Sequence, residues 1–447
     1  MKCAAVLSVV ALVALSAFAQ DEETIAKEVT RTADKVADKV TDLLEDAKPG
    51  FLYLHTLFVQ RGRHETTWTV LRRFGYDNSL QLREDYLYPP RLRALPDGCS
   101  TELSFDGWQF LTALFEKYDE DKDNCLSPGE LQNMFSLCPS LPWGPEAVFS
   151  VQTNAEDWLT YPGYCAYWAL QTLLEPARTL EQLAYLGYHA ATSLKGDEGS
   201  AAAPPLSVRA ERAQELKEKR MLDRNVFLCR VIGPKGAGKT AFLQSFVGRS
   251  MKRVARLNRR QLPPYVIRSV RVGDTDKYLM LHELDLFSES DQLSAVERHC
   301  DVVCFLYDAS NPKSFEDCAR IYKNHFERCR GGASPPAAEG GRRRQPPPCL
   351  FVGAKSDRTA CVQQATFQPE EFCRRHSLLP PVLFSAAAPD QEERREEVYA
   401  RLALLANFPR ASRYRRLLAE PNWSALLWGS LVAGVGAVTL VALLSRR

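Results

Sequence analysis

From residue 225 onward the hydrophobic positions fall into short runs set apart by mixed segments. Runs at 226–232, 266–272, 278–284, 302–307, 349–352 and 382–384 are rich in Val, Ile, Leu, Phe and Tyr. Their length and β-branched content predict strands, and helical segments fall between several of them. That alternation implies a parallel-rich α/β sheet over 225–410. The preceding part has a different period. Residues 51–95 read as helices with aromatic anchors, broken at Pro89-Pro90 and at Pro96-Asp97-Gly98. A strongly amphipathic helix at 105–117 runs into an acidic loop, and a further helix at 131–138 stops before Pro139 and Pro142. Residues 155–174 hold a short strand-like piece, Trp158-Leu159-Thr160, and another helix. Gly, Ala, Pro and Ser crowd 194–205, so 194–224 reads as a linker that ends in a charged helix from Ala210. A Gly/Pro/Arg-rich insert at 328–348 reads as a surface loop.

The two ends are apolar in different ways. Residues 423–444 carry no charge, with two Trp near their start and Arg446-Arg447 after them. At a helical rise of about 1.5 Å this run spans roughly 33 Å, enough for a bilayer core. With so few residues after it, 422–445 reads as a transmembrane tail anchor that leaves the bulk of the chain in the cytosol. A buried core helix is the plainer alternative. At the other end, Met1-Lys2 precedes an apolar run to Phe18, with Ala17-Phe18-Ala19 as an A-x-A cleavage site. That is the form of a secretory signal peptide and opens an endoplasmic-reticulum or secretory route as the competing localisation. Ile25, Val29, Val36, Val40 and Leu43 then mark an exposed amphipathic helix.

Composition narrows the field. The chain of 447 residues is 45% hydrophobic and 25% charged, which suits ordinary globular cores over most of its length. A net charge of +2 argues against nucleic acid as the main partner. The 13 cysteines are odd in number and form no CxxC pair, which fits buried or free thiols in a reducing compartment better than a disulfide framework.

One motif carries phosphate chemistry. Gly233-Pro234-Lys235-Gly236-Ala237-Gly238-Lys239-Thr240 matches G-x-x-x-x-G-K-[ST] between a predicted strand at 225–232 and a predicted helix through Val247, with Ala241 counted among the nucleotide-binding residues. Glycines let backbone N–H groups wrap the phosphates, and the helix N-terminus adds its positive end. Lys239 is expected to reach the β/γ oxygens, and the Thr240 hydroxyl to ligate Mg²⁺. Base choice comes from a second segment. Asp357, in Ala354-Lys355-Ser356-Asp357, can accept hydrogen bonds from guanine's imino and amino groups, and the Lys355 stem can lie across the base. Ser385 and Ala386 follow the last strand and can offer a backbone N–H to the guanine oxygen. GTP or GDP is the expected ligand.

The acidic loop from Asp119 to Glu130 fits a twelve-residue EF-hand frame. Asp119, Asp121 and Asp123 stand at positions one, three and five, Cys125 supplies its carbonyl at seven, Ser127 stands at nine and Glu130 at twelve. Hard oxygen ligands suit Ca²⁺ or Mg²⁺. Asn124 stands at position six, where glycine is expected for a left-handed turn. Asn tolerates that turn best among other residues, so weakened binding is the expectation. Leu126 at position eight is the residue that pairs two such loops, and the segment at 156–160 reads as a degenerate partner without metal ligands.

Together these features resemble the mitochondrial Rho GTPase (Miro) family. The resemblance runs from Gly50 to the C-terminus. It rests on FLYLHTLFVQRGRHETTWTVLRRFGY at 51–76, the loop at 119–130, LPWGPE at 141–146, LAYLGY at 183–188, the phosphate loop, DVVCFLYDASNPKSFEDCARIYK at 301–323, EEFCRRH at 370–376 and the apolar tail. It implies a mixed fold: an α-helical EF-hand region, then a P-loop α/β GTPase-like domain, then a single C-terminal transmembrane helix. Residues 51–100 would be the helical remnant of a first EF-hand unit, and 101–193 an EF-hand with its degenerate partner and a ligand-mimicking helix. On this resemblance the chain is expected to lack the family's N-terminal GTPase domain and first EF-hand loop, with residues 1–50 unrelated to the family. The resemblance further implies a GTPase on the mitochondrial outer membrane that responds to calcium and links mitochondria to motor adaptors.

Departures from the family's chemistry temper the enzymatic side. No switch threonine lies at 265–272, and His282-Glu283-Leu284-Asp285-Leu286-Phe287 replaces D-x-x-G. Neither the glycine that senses the γ-phosphate nor the glutamine that orients water is evident. Ala354 stands where N-K-x-D has Asn. Binding is therefore expected more firmly than hydrolysis, and a catalytically inactive, nucleotide-stabilised, calcium-responsive adaptor is the alternative.

Overall fold

Strands covered on both faces read as near-continuous apolar runs, and the strands Val302–Asp308 and Cys349–Ala354, buried at every position, are of this kind. The computed structural model describes residues 53–84, 99–188, 204–209, 224–284, 293–327 and 347–409, with gaps of one to four residues inside several of these stretches. In chain order the first elements are α1 (His64–Arg73), β1 (Ser100–Leu103), α2 (Phe105–Tyr118), β2 (Cys125–Leu126), α3 (Pro128–Met134), α4 (Glu146–Ser150), β3 (Leu159–Thr160), α5 (Tyr161–Leu174), α6 (Pro176–Tyr185) and β4 (Leu206–Arg209). The sheet domain follows with β5 (Val226–Ile232), α7 (Lys239–Phe246), α8 (Met251–Val254), β6 (Tyr265–Val272), β7 (Thr275–Leu284), β8 (Val302–Asp308), α9 (Ser314–Ile321), β9 (Cys349–Ala354), α10 (Pro369–Arg375), β10 (Val382–Leu383) and α11 (Glu392–Asn407).

Six strands form one sheet in the order β10-β9-β8-β5-β7-β6. Every neighbouring pair is parallel except β6 with β7, which run antiparallel through a turn at Gly273. The six predicted strands are thus present, and the predicted parallel-rich sheet is the one observed. Period-two alternation sends side chains to two cores. Val302, Cys304 and Leu306 of β8 join α7 and α11, whereas Val303, Phe305 and Tyr307 join α9 and α10. On β9, Leu350 and Val352 face the first core and Cys349 and Phe351 the second.

The second face of the sheet is shared between two covers. Over β8 and β9 it is covered by α9 and α10. Over β6 and β7 it is covered by the helical module: Ile267 and Met280 are buried in one cluster with Leu111, Phe115, Trp143, Tyr164 and Trp168. Trp108 stacks on Tyr278 with ring centroids 5.7 Å apart. The two regions therefore share a core. In that core α6 buries Leu180 and Leu183 on one side of its amphipathic helix.

Within the helical module, β2 and β3 form the short antiparallel ribbon of an EF-hand pair, with Leu126 opposite Leu159 and Cys125 opposite Thr160. The strand-like piece expected at 158–160 and the pairing role of Leu126 both appear. One expectation needs correcting. Residues 206–209 lie inside the stretch read as linker, yet they form β4, antiparallel to β1, with Leu206 opposite Leu103. The strand owes its place to tertiary contacts. Leu206 is buried in the module core, and the buried Glu102 accepts hydrogen bonds from Arg209 Nε at 3.0 Å, Asn225 N at 2.7 Å and Val226 N at 3.1 Å. This carboxylate fastens the ribbon to the first residues of β5.

Among the described residues no helix is long and apolar enough to cross a membrane. The span expected at 422–445 lies outside them, as do the signal-like segment and helix of residues 1–50, all but the last residue of the charged helix expected at 210–224 and most of the 328–348 insert.

Candidate functional site

The phosphate loop leaves the end of β5 beside β8. A Cβ on Gly233 would lie 2.1 Å from the Leu306 carbonyl oxygen, so only glycine lets the chain pass here. Gly236 and Gly238 adopt φ of 85° and 106°, the left-handed turns that wrap the loop. Ala237 N bonds Pro234 O at 3.1 Å inside the loop, and Phe242 N bonds Gly238 O at 2.9 Å where α7 begins. Ala237 is buried under the loop, Lys235 is exposed at its tip, and Ala241 is half-buried in the first turn of α7. Space in front of Gly236 is open, with no atom within 4 Å of a Cβ placed there.

Lys239 is 5% exposed, and its Nζ donates to Gly233 O at 3.1 Å and lies 3.7 Å from Glu283 Oε1. Thr240 Oγ1 donates to Glu283 Oε2 at 3.0 Å. Glu283 stands near the end of β7, in register with Val231 of β5. The Lys239 ammonium, the Thr240 hydroxyl and the Glu283 carboxylate are thus gathered at one point. Hard oxygens from Thr240 and Glu283, next to an open glycine-lined loop, fit a nucleotide carried with Mg²⁺.

The base side is assembled as well. Ser385, fully buried, donates its hydroxyl to Asp357 Oδ1 at 2.5 Å and accepts from Ala387 N and Ala388 N, both at 3.2 Å. Ser356 N bonds Phe384 O at 3.1 Å, so the two base loops are tied. Asp357 is otherwise exposed, and Ala386 lies half-buried beside it in sequence order on the same loop as Ser385. Lys355 has φ of 59°, and its Nζ reaches across to Gly236 O at 2.7 Å. The structure therefore brings Gly233, Gly236, Gly238, Lys239, Thr240 and Lys355 together, with Asp357 and Ser385 adjoining.

The acidic loop is organised only in part. One oxygen from each of Asp119, Asp121 and Asp123 lies within 4.8 Å of the others. Asp119 Oδ1 is buried without a hydrogen-bond partner, the kind of atom a cation would satisfy. Burial, helped by the neighbouring aspartates, pushes the Asp119 carboxyl above its ordinary range against an amide bond from Asn124. Asn124 adopts φ of 62°, the left-handed conformation expected at position six. Glu130 does not join the three aspartates. Its Oε2 accepts from Ser127 N at 2.8 Å and Ser127 Oγ at 2.7 Å, and its Oε1 accepts from Glu120 N at 2.9 Å. Burial pushes Glu130 up, but these bonds outweigh it and hold the carboxyl below the usual range. Ser127 and Glu130 form a capping box at the start of α3. Cys125 lies in the β2 ribbon at the seventh position. The residues fit a hard cation at positions one, three and five, and a fuller oxygen shell requires Glu130 to leave its cap.

The degenerate partner closes on itself: Asn154 Oδ1 accepts from Glu156 N at 3.1 Å and Trp158 N at 2.8 Å. It also meets the sheet domain. Asp157 pairs with Arg253 at 2.5 Å, and Arg249, 5% exposed, donates to the Val148 and Phe149 carbonyls of α4 and to Gln244 Oε1 at 2.9 Å.

Comparison with known proteins agrees with both halves. Family profiles described as "EF hand associated" match residues 19–107 and 143–220. Over 386 residues, 86% of this chain, the sequence is 45% identical to Mitochondrial Rho GTPase 1 of Caenorhabditis elegans and 44% identical to Mitochondrial Rho GTPase 1 of Caenorhabditis briggsae. Over that region the chain is a homologue of the mitochondrial Rho GTPases. It spans 58% and 57% of the length of those two relatives. The first profile begins at residue 19, inside the segment 1–50 that the sequence reading set apart from the family.

Two residues that sequence reasoning left without a role belong to the site of this Rho GTPase homologue. Glu283 was visible only as part of a broken D-x-x-G, yet it stands next to last in β7, the strand beside β5, where its carboxylate accepts the Thr240 hydroxyl. Its signal was an acid at the C-terminal end of a buried strand, the edge at which parallel sheets bind ligands. Asp308, the last residue of β8, carries the same signal and faces Lys355.

Proposed function

We propose that this chain binds a guanine nucleotide with Mg²⁺ at residues 233–240 and the base loops, and binds Ca²⁺ at the loop from Asp119 to Glu130. By its relationship to proteins named mitochondrial Rho GTPases, it acts at the mitochondrial outer membrane, links mitochondria to motor adaptors, and hydrolyses GTP. The convergence of Lys239, Thr240 and Glu283 carries the nucleotide reading. Lys239 holds the phosphate oxygens and neutralises charge there. Mg²⁺, if bound, would supply further charge stabilisation there. Thr240 and Glu283 hold that position, and Asp357 selects guanine.

A second reading keeps binding and drops turnover. In small GTPases the segment between α7 and β6 is where a switch threonine is expected to approach the nucleotide. Here Arg249 and Arg253, at the start of that segment, are committed to α4 and the degenerate EF loop. Single-turnover GTP hydrolysis by the full chain, with Lys239→Ala as control, separates the two. Phosphate release well above the control supports the GTPase. Release equal to the control, with GTP still bound by the wild type, leaves a nucleotide-stabilised adaptor.

A further inference from the structure

The geometry points to Asp308 as a positioning residue that anchors Lys355 across the phosphate loop and so sets the affinity for the guanine base. This rests on the nucleotide reading above and names a residue that lies outside the phosphate loop and the base-binding segment. Lys355 belongs to the base-binding segment, but its stem has several rotatable bonds, and holding it in one place costs rotamer entropy. A fixed partner is needed to meet that cost before the ligand arrives.

Asp308 is such a partner. Its Oδ2 lies 2.5 Å from Lys355 Nζ, and its side chain is 9% exposed against 27% for the lysine. The carboxylate is itself pinned: Oδ1 accepts from Ser310 N at 2.9 Å and Ser310 Oγ at 2.6 Å. The Asp308 backbone N–H is held by the buried Ser314 hydroxyl at 2.7 Å. Burial favours the neutral acid, but the bonds from Lys355 and Ser310 outweigh it and keep the group charged. The lysine stem passes Gly238, with Cε 4.0 Å from a Cβ placed there, and its head reaches Gly236 O at 2.7 Å. One ion pair thereby fastens β8 to the phosphate loop through the base-binding lysine.

The position of Asp308 gives the pair its meaning. Asp308 is in register with Ala354, the residue that stands where N-K-x-D has an asparagine. Ala354 has no polar side chain to tie the base loop to the phosphate loop. The neighbouring strand supplies the tie instead, from directly across the sheet. Sequence motifs could not reveal this, because Asp308 and Lys355 are 47 positions apart.

Asp308→Asn in the full chain tests it. Asparagine keeps an Oδ1 acceptor for Ser310 and loses the charge facing Lys355. GDP affinity, read by displacement of a fluorescent GDP, should fall about tenfold, whereas competition by ADP should change less than twofold. The deciding measurement is a double-mutant cycle with Lys355→Met, a variant that leaves β8 untouched. Lys355→Met alone should weaken GDP by at least as much, and adding Asp308→Asn to it should produce no further loss. Additive losses, equal weakening of GDP and ADP, or wild-type GDP affinity in Asp308→Asn would each overturn the assignment. If Asp308→Asn fails to fold, an unchanged GDP affinity in Lys355→Met overturns it alone. Absence of GDP binding in the wild-type chain would overturn the nucleotide reading itself and the inference with it.

Discussion

The phosphate loop and the acidic loop are both loop-to-helix junctions, proposed here to bind nucleotide and calcium, yet they stand at different stages of assembly. In the first, the backbone does the binding, and glycine geometry, a parallel strand on either side and a buried lysine fix that backbone before any ligand arrives. In the second, side chains do the binding, and one of them is engaged elsewhere: Glu130 caps α3 while the three aspartates wait together. Backbone sites can be preassembled because hydrogen-bonded sheets hold them. A ring of carboxylates cannot, because like charges repel until a cation joins them. Nucleotide binding should therefore be close to rigid, and calcium binding should carry a local rearrangement.

The largest effect belongs to Gly233→Ala. The added methyl meets the Leu306 carbonyl, a backbone atom of a central strand, so the loop or β8 must shift. A loss of about 3 kcal/mol or more in urea unfolding is expected, together with loss of GDP binding. A well-folded variant that binds GDP normally would break the claim of a rigid cradle. Next comes the seam that joins the two regions. Arg249 is buried, and burial pulls its guanidinium down to about 10, still charged at neutral pH. Arg249→Met should cost about 2 kcal/mol through the carbonyls of α4 that it leaves unsatisfied. Arg253→Ala, at the partly exposed pair with Asp157, should cost less than about 1 kcal/mol. Equal losses would mean that burial does not grade this seam. On the acidic loop, Asn124→Gly removes a side chain from a left-handed position. Calcium affinity by calorimetry should rise a few-fold, on the order of 0.5–1 kcal/mol. No change would show that position six does not limit the site.

The same contrast governs what could be read from sequence. The strands β5, β8 and β9 were legible because burial on both faces leaves continuous apolar runs. Gly233 to Thr240 were legible because glycine spacing encodes a backbone path. Asn124 was legible for the same reason. Glu283, Asp308 and β4 were not, since each owes its role to a partner distant in the chain. Glu102 is 123 residues from the Asn225 amide it holds, and nothing local marks it. The shared core had the same fate: Ile267 and Met280 read as ordinary strand residues, and only the fold sets the helical module on top of them.

The central claim is that Lys239, Thr240 and Glu283 form a ready site for nucleotide with Mg²⁺. The direct measurement is GDP affinity of the full chain with Mg²⁺ and with a chelator, for wild type and Glu283→Gln. The account predicts that Mg²⁺ tightens wild-type binding at least about tenfold, a difference of about 1.4 kcal/mol, and that Glu283→Gln loses most of that gain. Wild-type binding indifferent to Mg²⁺, or a full gain retained in Glu283→Gln, would contradict it.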